Sequence, residues 1–316
     1  MPMPTFQRPL LAAAATVAIL LSACRPAPPA DGPPVASDLS RPSLAVQVLA
    51  GHMRSGDFAA FARDAVPPAL HARLDLAWRG GHTRWPLDEL PFSGHFPQLL
   101  ETLAADGSEA GLLASFDHQF AGSAREIRAA AATMGLFGVQ YVERQGDFSD
   151  SERAHYAQMV TAVAQWAAQA PLADRERAAA AIPRLAAAAR AVGPASADDL
   201  AAAGMDVTLA RIGSFSLESR AVLAGYGLDL DAALDSVEAG LQVQQGDRAS
   251  VRLRYVLAGS AIDAVIDMER VDGRWYVADY LDHARAAAAA VPPPVPAGPA
   301  DAQPPARPPP GPVAAP

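Results

Sequence analysis

Residues 251–280 read VRLRYVLAGSAIDAVIDMERVDGRWYVADY, and this stretch decides the fold class. Val251, Leu253, Tyr255 and Leu257 alternate with Arg252 and Arg254, the two-residue period of a strand with one covered and one solvated face. Ala258 and Gly259 make a turn, after which Ile262, Ala264, Ile266 and Met268 alternate with Asp263 and Asp267. A two-residue loop sets Leu257 opposite Ser260, and therefore Tyr255 opposite Ile262, Arg254 opposite Asp263, Leu253 opposite Ala264 and Val251 opposite Ile266. Apolar side chains then meet apolar ones and cation meets anion, so the register supports itself. Asp272 and Gly273 form a second tight turn into a strand expected over Arg274 to Tyr280, while Gln245, Gly246 and Asp247 form a three-residue loop back to a strand near Val237 to Val243. The expectation is a four-stranded antiparallel meander.

Upstream the period changes. Ser123 with Glu126, and Ser149 with Glu152, have the spacing of capping boxes, in which serine and glutamate each satisfy an orphan N–H of a helix's first turn. After the first box Ile127, Ala131, Met134 and Tyr141 recur at helical spacing with Phe137 nearby; after the second Tyr156, Val160, Val163 and Trp166 do the same. Both stripes are expected to face the core. Shorter helices are expected at Leu44 to Met53, Asp57 to Ala65, Pro68 to Trp78 and Asp174 to Val192, the last bent at Pro183. The fold class expected is therefore α+β, predominantly α: a helical region over 43–204, then a β-rich region over 205–290 carrying the meander.

The two ends have a different composition. A single positive charge at Arg8 precedes an apolar run from Leu10 to Leu21, too short to cross about 30 Å of hydrocarbon, and then small residues, which is the pattern of a secretory signal peptide. Its last residues, Leu21, Ser22, Ala23 and Cys24, resemble the lipobox of bacterial lipoproteins, and Cys24 is the chain's only cysteine. That resemblance implies cleavage after Ala23 over a 1–23 signal, acylation of Cys24, and anchoring in a membrane by several acyl chains. An Asp after the lipidated cysteine favours inner-membrane retention in such proteins, so Arg25 points to the outer membrane, on its periplasmic face. Residues 24–42 read as a lipidated cysteine and Pro-rich tether, which at about 3.1 Å per residue spans roughly 50 Å. Residues 291–316 read as a disordered Pro-rich tail.

Composition excludes a good deal. The formal charge of −9 becomes −10 without Arg8, so nucleic acid is not an expected partner. The sequence has no Lys and no Asn, which removes the phosphate-loop lysine, the Schiff-base lysine and the Ser-Lys dyad. Nor does it contain G-x-S-x-G, G-x-G-x-x-G, H-E-x-x-H or C-x-x-C, and no cofactor or metal is expected. Asp229, Asp231 and Asp235 fall short of a calcium loop because Ala233 and Leu234 occupy positions that need a ligand and a glycine.

The densest polar and aromatic stretch is His82 to Phe96, in which His82, Asp88, Glu89 and His95 are candidates for acid and base roles. The competing expectation is a packed surface loop with aromatic anchors and a helix cap. Asp147, Asp150, Glu152 and His155 also gather, read as acids favouring a helix dipole. The stretch from Val237 to Tyr280 is similar to the last strands of small NTF2-like domains of bacterial lipoproteins, and Ala45 to Phe58, with its Gly56-Asp57 break, looks like their first helix. The likeness covers about a quarter of the chain and implies a curved sheet wrapped by helices, often with a pocket, but no catalytic set. Taken together, the sequence points to a non-enzymatic binding or scaffold lipoprotein of the periplasm whose partner is an envelope protein or a small ligand. The rival is a hydrolase of no recognisable motif using His82 or His95 with Asp88 or Glu89.

Overall fold

The computed structural model describes residues 39–89, 93–144 and 148–289. Ala23, Cys24, the signal, most of the tether and the 291–316 tail lie outside the described residues. The chain is α+β and predominantly α. Helices α1 (Pro42–Ser55), α2 (Phe58–Ala65) and α3 (Pro68–Arg79) come first, followed by single 3-10 turns at Leu87–Glu89 and Ser93–His95. Then come α4 (Phe96–Ala104), α5 (Ser108–Gln119), α6 (Ala124–Arg144), α7 (Asp150–Ala167), α8 (Arg175–Val192), α9 (Ala197–Ala203), α10 (Met205–Gly225) and α11 (Leu230–Asp235). Strands β1 (Glu238–Gln245), β2 (Arg248–Leu257), β3 (Ser260–Val271) and β4 (Arg274–Val277) precede the last helix, α12 (Ala278–Ala289).

The four strands form one antiparallel sheet in sequence order. The β2/β3 register is the one read from the sequence: Leu257 opposite Ser260, Tyr255 opposite Ile262, Arg254 opposite Asp263 and Val251 opposite Ile266. Both turns flanking β3 place two successive residues at positive φ, Ala258 and Gly259 at 50° and 80°, Asp272 and Gly273 at the same angles. That handedness matches the twist of the strands it joins. Three expectations are corrected here. The β1/β2 loop has two residues, since Gln245 pairs with Arg248, and a bulge between Leu241 and Val243 absorbs the difference. The last strand stops at Val277, because Ala278, Leu281, Ala284 and Ala288 fall on one buried helical stripe and an alanine-rich run favours helix. The region from 205 begins with α10 and α11, and strands start only at Glu238.

Helix α10 hides from a pattern search because it is buried on most sides, with Met205, Leu209, Ile212, Phe215 and also Thr208, Ser216, Ser219 and Arg220 inside. Its Gly213 lies so close to α1 that a Cβ there would meet the Gly56 carbonyl oxygen at 1.9 Å. The Arg220 guanidinium, 1 % exposed, donates to the Met53 and Arg54 carbonyls at 3.0 and 2.9 Å and closes the C-terminus of α1. Asp231 and Asp235, the near-miss calcium loop, pair instead with Arg54.

One main core runs from Leu39 to Ala288 and joins α1, α2, α3, α7 and α10 to the covered face of the sheet. Leu39 belongs to it, with its carbonyl accepting from the Trp275 N–H at 2.8 Å, so the folded part includes a residue three positions before the expected end of the tether. A smaller core of Leu100, Leu103, Val192, Leu200 and Phe215 joins α4, α8, α9 and α10. The α6 stripe is the clearest correction. Ile127 is buried, but Phe137 and Tyr141 are 70 % and 55 % exposed. Helix α6 packs along α7 through Gly135 and Gly138, whose added Cβ atoms would meet Ala164 and Val160 at 2.5 and 2.8 Å. That seam turns Phe137 and Tyr141 away from the protein.

Candidate functional site

The His82 to Phe96 stretch behaves as the packed loop. Trp85 is 1 % exposed, and Thr83 and Leu87 are also buried. The Asp88 carboxylate accepts from the Thr83 hydroxyl at 3.0 Å and from the Arg84 N–H, which holds the turn closed. His82 and His95 are exposed, His82 closing the C-terminus of α3 through its N–H to the Ala77 carbonyl and His95 standing just before α4. Of the four candidates only Glu89 reaches a cluster of titratable groups, and its partner there is His283 of α12, which the sequence reading did not single out.

That cluster lies where α7 and α12 meet the open edge of β3. Glu152 and His155 come from the first turns of α7, and Asp279, Tyr280 and His283 from α12. The Ser149 and Glu152 capping box fixes the start of α7: the Ser149 N–H donates to Glu152 at 2.9 Å, and the Glu152 N–H donates to the Ser149 hydroxyl oxygen at 3.2 Å. The box also carries the Glu152 carboxyl into the protein, where it is 7 % exposed. Burial raises its pKa, with the Ser149 N–H opposing and Asp279 adding to the rise. Burial likewise raises the pKa of Asp279, against a bond from Ser149. The bond between His283 Nδ1 and Glu89 Oε2, 2.5 Å long, lifts His283 to about 9, so this imidazole is protonated at neutral pH. The site thus gathers three carboxyl groups around one cation.

His155 has the opposite electrostatics. Its Nε2 is 2.9 Å from the Tyr255 hydroxyl, the ring lies almost parallel to Tyr156, and burial lowers its pKa to about 4, so it is neutral. Between these groups opens a cavity of about 50 Å³ whose apolar walls include Val46, Leu49, Leu253 and Ile266 and whose polar lining is Glu152, His155, Tyr156, Asp279 and Tyr280. A space of that size admits a small head group of a few heavy atoms.

The strand edge completes the site. The Gln158 side chain accepts from the Asp263 N–H at 3.0 Å and donates to the Asp263 carbonyl at 2.9 Å, so the backbone of Asp263 faces away from β2. Antiparallel alternation turns Val265 the same way. Val265 lines the cavity and lies beyond the reach of β4, whose pairing ends at Met268 and Val277. Val265 of the strand edge therefore lines the same cavity as the buried Glu152 and the half-buried Asp279.

Among the described residues no three His, Cys, Asp or Glu side chains converge as metal ligands would. No helix of the described residues is long and apolar enough to cross a membrane. No protein-family model matches the chain, and no curated protein or solved structure is significantly similar to it.

Proposed function

We propose that the chain is a lipid-anchored protein of the bacterial envelope, held at the periplasmic face of the outer membrane through Cys24. Its folded domain binds, without catalysis, the positively charged or hydrogen-donating head of a small ligand. The observation that supports the binding half is the convergence of Glu152, Asp279, Tyr156 and Tyr280 on one small cavity with apolar walls. Desolvated carboxyl groups with raised pKa values gain most from a cation or a donor brought beside them. Aromatic walls favour a cation further. The anchoring half rests on the Leu21 to Cys24 lipobox following a signal-like apolar run. The hydrolase reading draws no support from the geometry, since Asp88 is spent on its own turn and Glu89 on His283.

Two measurements test the two halves. Fatty-acid labelling in cells is expected for the parent chain and absent for Cys24→Ala, which should also leave the membrane fraction; labelling that persists in the variant overturns the anchor. Titration with ethylammonium, followed by nuclear magnetic resonance of the Tyr156 and Tyr280 rings, is expected to shift both rings saturably, and to shift them at least tenfold less readily in Glu152→Gln/Asp279→Asn. Equal response of parent and variant overturns the cleft.

A further inference from the structure

We infer that His283, paired with Glu89, is the resident cation of the cleft, and that a cationic ligand binds there in opposition to its charge. The inference rests on the cleft reading and adds the residue that regulates it.

The placement comes from three elements. His283 and Asp279 stand four residues apart in α12 and so share one side of it, with Cβ atoms about 6 Å apart. Asp279 lines the cavity together with Glu152, which the Ser149 capping box carries in from α7. His283 Nδ1 is 2.5 Å from Glu89 Oε2, so the 3-10 turn at Leu87–Glu89 is joined to α12 and keeps the imidazole beside the carboxyl groups. Both partners of that pair are half-buried, which spares them much of the screening an exposed pair suffers.

The charges on the other elements packed against α12 are engaged elsewhere: His71 with Asp206, Asp75 with Arg79, Arg274 with Asp64 and Glu269 with Arg285. Arg73 of α3 is exposed, and Asp267 of β3 acts on Asp279. The groups that act on His283 are Glu89, Glu152 and Asp279. The bond to Glu89 raises its pKa from 6.5 to about 9 against the effect of burial, and the charges of Glu152 and Asp279 add to the rise. The coupling runs both ways, since His283 opposes the rise in pKa of both carboxyl groups.

A cation brought to Glu152 and Asp279 is therefore the second positive charge there. By linkage it must lower the pKa of His283 as much as protonated His283 weakens its binding. The cleft takes a cation more tightly as pH rises through about 9, while a neutral hydrogen-bond donor meets no such opposition. Glu89 sets the pH at which this happens.

The test follows the ring protons of His283, Tyr156 and Tyr280 by nuclear magnetic resonance between pH 6.5 and 9.5, with and without ethylammonium, which like a lysine side chain keeps its charge to about pH 10. Saturating ethylammonium is expected to lower the His283 pKa by half a unit or more, and affinity read on the tyrosine rings to rise several-fold between pH 7 and 9.5. Glu89→Gln should move that rise to lower pH. His283→Gln should abolish it and bind several-fold more tightly than the parent at pH 7. Tyrosine shifts that saturate while the His283 pKa stays fixed overturn this inference and leave the cleft standing, a comparison made in the parent chain alone. The same affinity profile in parent and His283→Gln overturns it too. Absence of tyrosine shifts at every pH removes the cleft and this inference with it.

Discussion

The side-chain amide of Gln158 on α7 holds both backbone groups of Asp263 on β3, accepting from its N–H at 3.0 Å and donating to its carbonyl at 2.9 Å. A helix side chain thus takes the place of one residue of a missing strand, and an edge that would otherwise recruit another chain is closed at this point. Gln158→Ala should destabilise the domain by about 1–2 kcal/mol. Gln158→Glu should cost at least as much, because a carboxylate cannot donate to the carbonyl. Denaturant unfolding checks this, and a Glu variant as stable as the parent would show that the edge is held elsewhere.

The sheet gives the widest contrast between two single substitutions. Trp275 is 2 % exposed against the helical face, and truncation to Ala should cost roughly 3–5 kcal/mol. Arg254 stands on the open face opposite Asp263, yet its ion-pair partner is Glu238 at 3.4 Å, while Asp263 takes Arg252 on the diagonal at 2.5 Å. Arg254→Ala should therefore cost less than about 1 kcal/mol. Calorimetry that found the two variants equal would contradict the assignment of faces.

The Glu89 and His283 pair predicts a pH dependence with a definite sign. His283 has its pKa raised from 6.5 to about 9 by Glu89, so its contribution is complete below about pH 6.5 and is lost as pH climbs through about 9. His155, lowered to about 4 by burial, acts on the other side, its neutral form favouring the fold above pH 6.5 and its protonation opposing the fold as pH falls towards 4. In His283→Gln the melting temperature should decline less between pH 6.5 and 9 than in the parent. In His155→Gln it should decline less between pH 6.5 and 4. Parallel curves for parent and variants would show that neither imidazole is shifted.

The sheet was legible because two independent signals, hydrophobic alternation and turn chemistry, agree on one register from Leu257 and Ser260 outward. The site was not, for reasons particular to its members. Glu152 has a sufficient local explanation as the glutamate of a capping box, and nothing in one chain segment tells that the same carboxyl lines a cavity with Asp279 of α12. Asp279 falls inside the alternation that suggests a strand to Tyr280, and His283 lies beyond it in a segment with no motif, although the Ala278, Leu281, Ala284 and Ala288 spacing marks a helix. Glu89 was singled out, but for a partner in its own loop and not for one almost two hundred residues away. On α6 the stripe holds at the buried Ile127 and fails at Phe137 and Tyr141, because the seam through Gly135 and Gly138 sets the rotation of the helix and no single segment shows where its neighbour lies.

A site prepared for a cation by Glu152 and Asp279 reports itself in the titration of those two carboxyl groups. With the side-chain carboxyl carbons of both residues followed by nuclear magnetic resonance, each should titrate above the ordinary carboxylate range in the free protein, as burial requires. Saturating ethylammonium should then lower both, because an added positive charge favours the ionised forms. Ordinary values in the free protein, or raised values that ethylammonium leaves unchanged, would show that Glu152 and Asp279 form no cation site.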